Sequence, residues 1–510
     1  MISAARAYRR ARGALAVDVA AALGLVGVLL LYLSPAFLVP AAVALGYSEP
    51  VWPFLAAGGI CAGLGLGLER AAGRPEGVGV REGFLVVSLT WLLAPAVAAL
   101  PHIFASVDQL GSPLNAYFEE MSAFTTTGAS VITEFDAVPR SLMLWRQFTQ
   151  WLGGMGIIVL ALAVLPRLRV GGRQLLEHEL PGPEFERLAT SIRATARRLW
   201  LLYVGLTALE ALVLAVLGWS GVDERMSPYK AVAHALTTLP TGGFSTEARS
   251  IGAFAAATQW TIALFMVVAG ANFALTYRAV VRRQPRAAAR DSELHLYLVL
   301  LALGALVLVS ELLGEGIFAG EAAIRHAVFQ SVSMMTTTGF ATADFTQWSA
   351  LAAMTLVALM FIGGSAGSTA GSIKVVRHLL IGKLLRRELD QTLHPQVVAS
   401  VRLNGRVVDE RTLRAVLTFV LLYVGIFVLG SLGIVIEAAR ADLAVSPFDG
   451  IAAAATTIGN VGPGFGFAGP MGSFEPFSNL SKLIMIGLMW LGRLEIVPIV
   501  VLFTRSYWRA

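Results

Sequence analysis

His326-Ala-Val-Phe-Gln-Ser-Val-Ser-Met-Met-Thr-Thr-Thr-Gly339-Phe-Ala341 reads as a short helix that runs into a Thr/Gly turn. The same pattern occurs three more times: Asn115-Ala-Tyr-Phe-Glu-Glu-Met-Ser-Ala-Phe-Thr-Thr-Thr-Gly128-Ala-Ser130, Tyr229-Lys-Ala-Val-Ala-His-Ala-Leu-Thr-Thr-Leu-Pro-Thr-Gly-Gly243-Phe-Ser245 and Phe448-Asp-Gly-Ile-Ala-Ala-Ala-Ala-Thr-Thr-Ile-Gly-Asn-Val-Gly462-Pro-Gly464. The aligned glycines lie 115, 96 and 123 residues apart. One Thr-Thr-Thr-Gly means nothing by itself. Four copies, each after a weakly apolar helical run and before an apolar segment, define a repeat. In the fourth copy Gly459 and Gly464 compete with Gly462 for the aligned position.

The unit has an electrostatic meaning. A helix that enters a bilayer and stops there points its negative C-terminal end at the centre, where it favours a cation. Irregular backbone at that depth survives only where it is buried or lines a wet cavity. Glycine permits the positive-φ geometry that turns successive carbonyls the same way, and threonine adds a hydroxyl oxygen. Four such turns around one axis form a carbonyl cage that replaces a cation's hydration shell, as in potassium filters. The expected cage residues are Thr126, Thr127 and Gly128; Thr241, Gly242 and Gly243; Thr337, Thr338 and Gly339; and Asn460, Val461 and Gly462.

The rest of the chain supplies the membrane part. Of its 510 residues 56% are apolar and 14% charged, with a mean hydropathy of +0.70; soluble domains average about 25% charged. Ten apolar segments lie near 14–46 (interrupted by Pro35 and Pro40), 52–68, 82–101, 141–166, 199–219, 257–281, 294–314, 349–385 (interrupted by Gly and Ser), 412–437 and 479–504. Continuous runs of this length are helices, since barrel strands alternate over ~10 residues. The basic N-terminus and its apolar run are too long for a signal peptide and read as the first span. The fold class is an all-α polytopic membrane protein: four parallel helix–pore-loop–helix repeats around a central pore plus two N-terminal transmembrane helices. The divisions are 1–75 for that pair, then repeats at 76–185, 186–290, 291–400 and 401–510. A lone cysteine, Cys61, excludes an internal disulfide and a cysteine metal cluster.

Charge sets the orientation. The connections on one side (the N-terminus, 69–81, 167–198, 278–293, 374–414 and the C-terminus) hold 30 of the 39 Lys and Arg; the opposite connections hold 7. Both termini are therefore cytoplasmic. The same rule accounts for the net charge of +6 without nucleic acid. The outer connections carry Asp108, Glu119, Glu120, Glu134, Asp136, Asp223, Glu224, Asp344 and Asp449. These read either as acids that concentrate cations at an outer mouth or as plain solvated loop residues. His102, His234 and His326 lie in outer loops and take no ligand role.

Two features interrupt the apolar pattern. Gly363-Gly-Ser-Ala-Gly-Ser-Thr-Ala-Gly-Ser372 sits in the middle of the eighth span and cannot propagate a firm helix. It lacks the Gly-Lys-[Ser/Thr] order of a phosphate loop. It is either a close-packing surface of small residues or a flexible loop beneath the filter that blocks or opens the ion path. Arg493 lies within the last span, and a charge there marks a functional site by default. Its candidate partners are carbonyls of the 363–372 loop, Glu437, Glu311 and Glu495, although i and i+2 do not face each other on a helix. Asp18 and Glu210 are further charges within spans and have no nameable partner.

The sequence resembles the Trk/Ktr/HKT superfamily of potassium transporters, and closely its bacterial TrkH/TrkG branch. The residues that carry the match are Phe124-Thr-Thr-Thr-Gly-Ala-Ser130, Trp145-Arg-Gln-Phe-Thr-Gln-Trp-Leu-Gly-Gly-Met-Gly-Ile-Ile158, Pro181-Gly-Pro183, Gly242-Gly-Phe-Ser-Thr246, Phe361-Ile-Gly-Gly-Ser-Ala-Gly-Ser-Thr369, Asn460-Val-Gly-Pro-Gly464 and Gly492-Arg-Leu-Glu-Ile496. The match runs end to end. In the superfamily a serine at the first filter glycine goes with sodium selectivity, and here that position is Gly128. The resemblance implies potassium as the transported ion, bound at the filter residues above. It implies a gate made of Gly363, Gly364, Ser365, Gly367, Ser368 and Gly371 with Arg493 beside it in the conduction path. It further implies a homodimer in a bacterial inner membrane and a cytosolic TrkA-like nucleotide-binding regulatory subunit, for which basic loops 167–198, 278–293 and 374–414 are docking candidates. An alternative is a secondary carrier, a cation symporter with alternating access; its inverted halves are not seen in four parallel repeats. No His-Glu-x-x-His and no nucleophile–base pair points to an enzyme.

Overall fold

Why the apolar runs become these helices is set by length, proline and glycine. The computed structural model describes residues 17–72, 79–164, 184–396 and 399–509. Among these residues the structure is helical apart from loops and one antiparallel pair of two-residue strands, Arg402–Leu403 with Arg406–Val407. Among the described residues six helices are long and apolar enough to cross a bilayer by themselves: Val19–Gly46, Trp52–Ala72, Arg81–Ala105, Arg197–Trp219, Ser292–Gly314 and Glu410–Arg440. The first is tightened at Ser34–Phe37 into a 3-10 turn around Pro35, since proline removes a backbone donor. Arg140–Val164 covers most of the fourth apolar segment.

Two segments expected to be continuous are broken. The run 257–281 is Ala256–Gly270 followed, after a 104° bend, by Phe273–Val281. Asn272 starts the second piece, its side chain accepting hydrogen bonds from the backbone of Ala274 and Leu275; an Asn cap competes with helix continuation. The run 479–504 is Asn479–Arg493, a turn, and Val497–Leu502. In that turn Glu495 and Ile496 have φ of 56° and 60°, unusual for a β-branched residue. The run 349–385 divides as its Gly/Ser content predicts, into Ala350–Ile362 and Val375–Leu393. Residues 165–183, including Pro181-Gly-Pro183, lie outside the described residues, and Glu184–Trp219 begins inside the expected 167–198 connection.

The two N-terminal helices cross at glycine. A Cβ on Gly27 would lie 2.6 Å from the Gly65 carbonyl oxygen, and one on Gly65 2.8 Å from that of Gly27; small residues allow this backbone approach in a membrane. This pair packs with Val80–Ala98 into one apolar cluster that reaches Phe124 and Trp145. A second cluster runs from Leu214 through Met360 and on to Ala452, Val461 and Phe465. A third joins Phe118 and Val131 to Ile458 and Met489, bringing the first and fourth Thr/Gly units together.

Candidate functional site

The four short helices are Pro113–Phe124, Pro228–Thr238, Gly320–Met335 and Pro447–Gly459. Three begin with proline, whose fixed φ suits the first helical position. Ser227 and Ser446 cap two of them by accepting from the backbone of Lys230 and Asp449. Each helix ends in a turn of the same construction. Thr127 N donates to Ser122 O (2.8 Å), Gly242 N to Thr237 O (2.9 Å), Thr338 N to Ser333 O (2.9 Å) and Val461 N to Thr456 O (2.9 Å). The φ values then alternate in step: Thr126 52° and Gly128 83°, Thr241 55° and Gly243 78°, Thr337 57° and Gly339 81°, Asn460 54° and Gly462 109°. Left-handed residues at i and i+2 turn consecutive peptide groups to one side. Gly462, not Gly459 or Gly464, occupies the equivalent position.

These turns close a ring. A Cβ built on Gly128 would lie 2.2 Å from Gly242 O, on Gly243 2.0 Å from Thr338 O, on Gly339 1.9 Å from Val461 O, and on Gly462 2.7 Å from Thr127 O. Each turn thus leans on the next in chain order, and the fourth returns to the first. The hydroxyls expected as extra ligands are mostly used in the wall. Thr127 Oγ1 meets Thr125 Oγ1 (2.8 Å) and Asn460 Nδ2 (3.0 Å), Thr338 Oγ1 meets Thr336 Oγ1 (2.8 Å), and Thr241 Oγ1 donates to Pro240 O (2.5 Å). The ring therefore offers backbone carbonyls first.

Behind the ring lies a polar wall that the sequence only partly signals. Arg146 is fully buried and pairs with Glu119, its Nε donating at 2.7 Å. It also donates to Ser130 Oγ (3.2 Å) and lies 4.0 Å over the Phe244 ring, so it joins the first and second turns. Gln150 donates to Gly242 O (2.6 Å) and accepts from Phe244 N (3.2 Å). Of the outer acids, Glu119, Glu120 and Asp223 are buried rather than solvated or facing a mouth. Glu120 meets His102 Nε2 at 2.8 Å, while Asp223 accepts from Ala255 N and Thr258 Oγ1. Asp18 caps the first helix at Ala21 N, and Glu210 is buried with neither carboxyl oxygen hydrogen-bonded. Replacing Glu119 with Gln leaves the Arg146 charge buried without its counter-ion. We expect about 3–5 kcal/mol of destabilisation, read as a lower unfolding midpoint in detergent, with Arg146→Met, Glu119→Gln together recovering part of it.

Beneath the ring lies the Gly/Ser loop. Its neck is closed by Lys374 N donating to Ile362 O (3.0 Å) and Val375 N to Gly364 O (2.9 Å). Gly363 and Gly367 have φ of 75° and 74°. Gly371 N donates to Thr337 Oγ1 (2.8 Å), so the loop touches the third turn directly. Thr369 Oγ1 donates to Leu239 O (2.9 Å), and Ser365 N to Gly270 O (2.8 Å). Arg493, 6% exposed, donates from Nη1 to Thr369 O (2.8 Å) and from Nη2 to Gly153 O (3.0 Å) and Gly154 O (3.2 Å). Glu437, Glu311 and Glu495 are not its partners: Glu437 accepts from Ser478 and Glu311 from Ser349, and Glu495 pairs with Lys374 (3.0 Å) and Arg377. The loop and Arg493 thus join all four units below the ring.

Known proteins resemble this chain over most of its length. A family model described as TrkH, cation transport protein, matches residues 58–509. The Trk system potassium uptake protein TrkH of Escherichia coli K12 is 38% identical over 432 residues, 84% of this chain and 86% of that protein. TrkH of Halomonas elongata is 36% identical over 493 residues, 96% and 98% of the two chains. The crystal structure of the potassium transporter TrkH from Vibrio parahaemolyticus superposes with a TM-score of 0.83 at 33% identity, covering 96% of this chain and 99% of that one. Four Thr/Gly turns in one chain, the loop beneath them and a family match over nearly the whole length lead to one conclusion: the chain belongs to the TrkH family of cation transport proteins.

Proposed function

We propose that this protein takes up potassium through the ring of Thr126–Gly128, Thr241–Gly243, Thr337–Gly339 and Asn460–Gly462, with carbonyl oxygens as the ligands. The carrying observation is the fourfold repetition of the same turn construction, each turn stacked on the next. A ring of backbone oxygens suits a monovalent cation that sheds its water. The loop residues Gly363, Gly364, Ser365, Gly367, Ser368 and Gly371, with Arg493, form the gate, and the divisions at 75, 185, 290 and 400 bound the repeats. A homodimer in the bacterial inner membrane, with both termini cytoplasmic and a TrkA-like nucleotide-binding subunit on the basic cytoplasmic face, completes the reading. A TrkH-type pore is favoured over an alternating-access carrier because the four turns follow one another in a single sense around the ring.

Uptake is tested by potassium-limited growth of a transport-deficient host, with rubidium and sodium uptake measured in parallel. Rescue with rubidium exceeding sodium is expected, and sodium uptake equal to rubidium uptake would reject the potassium assignment. Orientation is tested by thiol labelling. Arg402→Cys, at an exposed position of the short hairpin, in a Cys61→Ala background, is expected to react only after permeabilisation. Labelling in intact cells would invert the topology. The same labelling at Arg173→Cys, in the expected cytoplasmic connection 167–198, probes a position outside the described residues.

A further inference from the structure

The N-terminal helices do more than flank the first unit. Helices Val19–Leu33, Val80–Ala98 and Arg140–Val164 line a half-open apolar cavity of about 150 Å³. Tyr32, 69% exposed, stands at its mouth, while Trp91, Ala94, Phe124 and Gly153 line its buried side. Its lining has no charged residue. The side-chain polar groups within are Thr90, whose hydroxyl is used on Val86 O (2.7 Å), and Trp91, whose buried Nε1 has no partner. A stable internal water needs two to four polar partners, and an apolar cavity of about 150 Å³ stays dry and takes a benzene-sized guest. The Tyr32 hydroxyl is at the mouth and serves no water within.

The depth identifies the guest. Leu30 lies on the same wall, roughly 16 Å along the helix from Val19 at 1.5 Å per residue, about half of a ~30 Å hydrocarbon core. At that depth the mouth opens on acyl chains rather than water. We propose that the cavity binds the acyl chain of a membrane lipid, which enters past Tyr32 and lays on the order of six carbons against Trp91, Phe124 and Gly153. Phe124 leads directly into the first turn, and Gly153 O receives Arg493. The guest therefore touches the residue that leads into the first turn and a residue whose carbonyl holds Arg493; this coupling, unlike the binding, rests on the gate reading above.

The test uses the full-length protein in phosphatidylcholine vesicles, with chains brominated at carbons 9 and 10 or left unbrominated. Bromine quenches indole emission on contact, and the difference between wild type and Trp91→Phe isolates Trp91 among the ten tryptophans. Brominated lipid is expected to lower the Trp91 component at least twofold. Ala94→Leu, which fills the cavity, should abolish that loss, and Tyr32→Ala, which widens the mouth, should increase it. Leu33→Phe at the partly exposed mouth replaces Ala94→Leu if the latter does not fold. Absent Trp91 quenching, or equal quenching in the filled variant, would overturn the proposal. Ion flux in the same vesicles then separates the two claims: quenching lost with flux unchanged keeps the lipid site and removes its coupling to Arg493.

Discussion

Arg493→Ala raises potassium flux by about tenfold or more in liposomes, per folded protein, while the ion preference stays as in wild type. The guanidinium lies beneath the ring and holds Thr369 O, Gly153 O and Gly154 O. Two like unit charges 4 Å apart repel by about 4 kcal/mol at an effective dielectric of 20, and each 1.4 kcal/mol is a factor of ten. Even a third of that repulsion supports the expected gain. Removing the side chain also takes the hydrogen bond to Thr369 O from the loop, while Gly371–Thr337, Thr369–Leu239 and Ser365–Gly270 remain among its anchors. Arg493→Lys keeps the charge but cannot reach three carbonyls with a planar fork, so its flux should fall between the two. A folded Arg493→Ala with flux at or below wild type would remove Arg493 from the gate.

Gly339→Ala and Gly128→Ser collapse potassium-over-sodium selection, by at least tenfold in competitive uptake, without preventing insertion. Gly339 sits at φ 81° and Gly128 at 83°, conformations that cost an L-residue roughly 1–2 kcal/mol. The steric consequence is larger. The new Cβ would stand 1.9 Å from Val461 O or 2.2 Å from Gly242 O, so the neighbouring turn must move its carbonyl. A cage that discriminates by carbonyl position loses that discrimination. Neither substitution alters an apolar span, so yield in the membrane fraction should match wild type. Unchanged selectivity in both purified variants would reject the ring as the filter.

The repeated turns were legible because their signal is local. Thr-Gly spacing, a preceding helix and a following apolar run all lie within ~20 residues. What remained open in the fourth copy, Gly462 against Gly459 and Gly464, depended on dihedral angles that no residue count supplies. The break at Gly270–Asn272 had a signal, an Asn within an apolar run, but hydropathy averages it away. Arg493 stood out from its neighbours, yet its partners come from residues more than 100 positions distant, so sequence alone left four candidates. The acids failed for a related reason. Glu119 and Glu120 look like loop carboxylates until Arg146 and His102 are placed beside them.

Because the ring comes from one polypeptide, its fourfold order is not enforced by genetics. In a tetramer of identical subunits every substitution appears four times, and a Cβ tolerated once is rarely tolerated four times. Here each quadrant is a separate address. The second turn can carry Thr-Gly-Gly and the fourth Asn-Val-Gly while the other two keep Thr-Thr-Gly. Below the ring one quadrant supplies the loop, another the arginine, and a third a bent helix at Gly270. Mutational damage should therefore be graded by quadrant, and the chain can vary the loop or Arg493 on one side without rebuilding the ring above it.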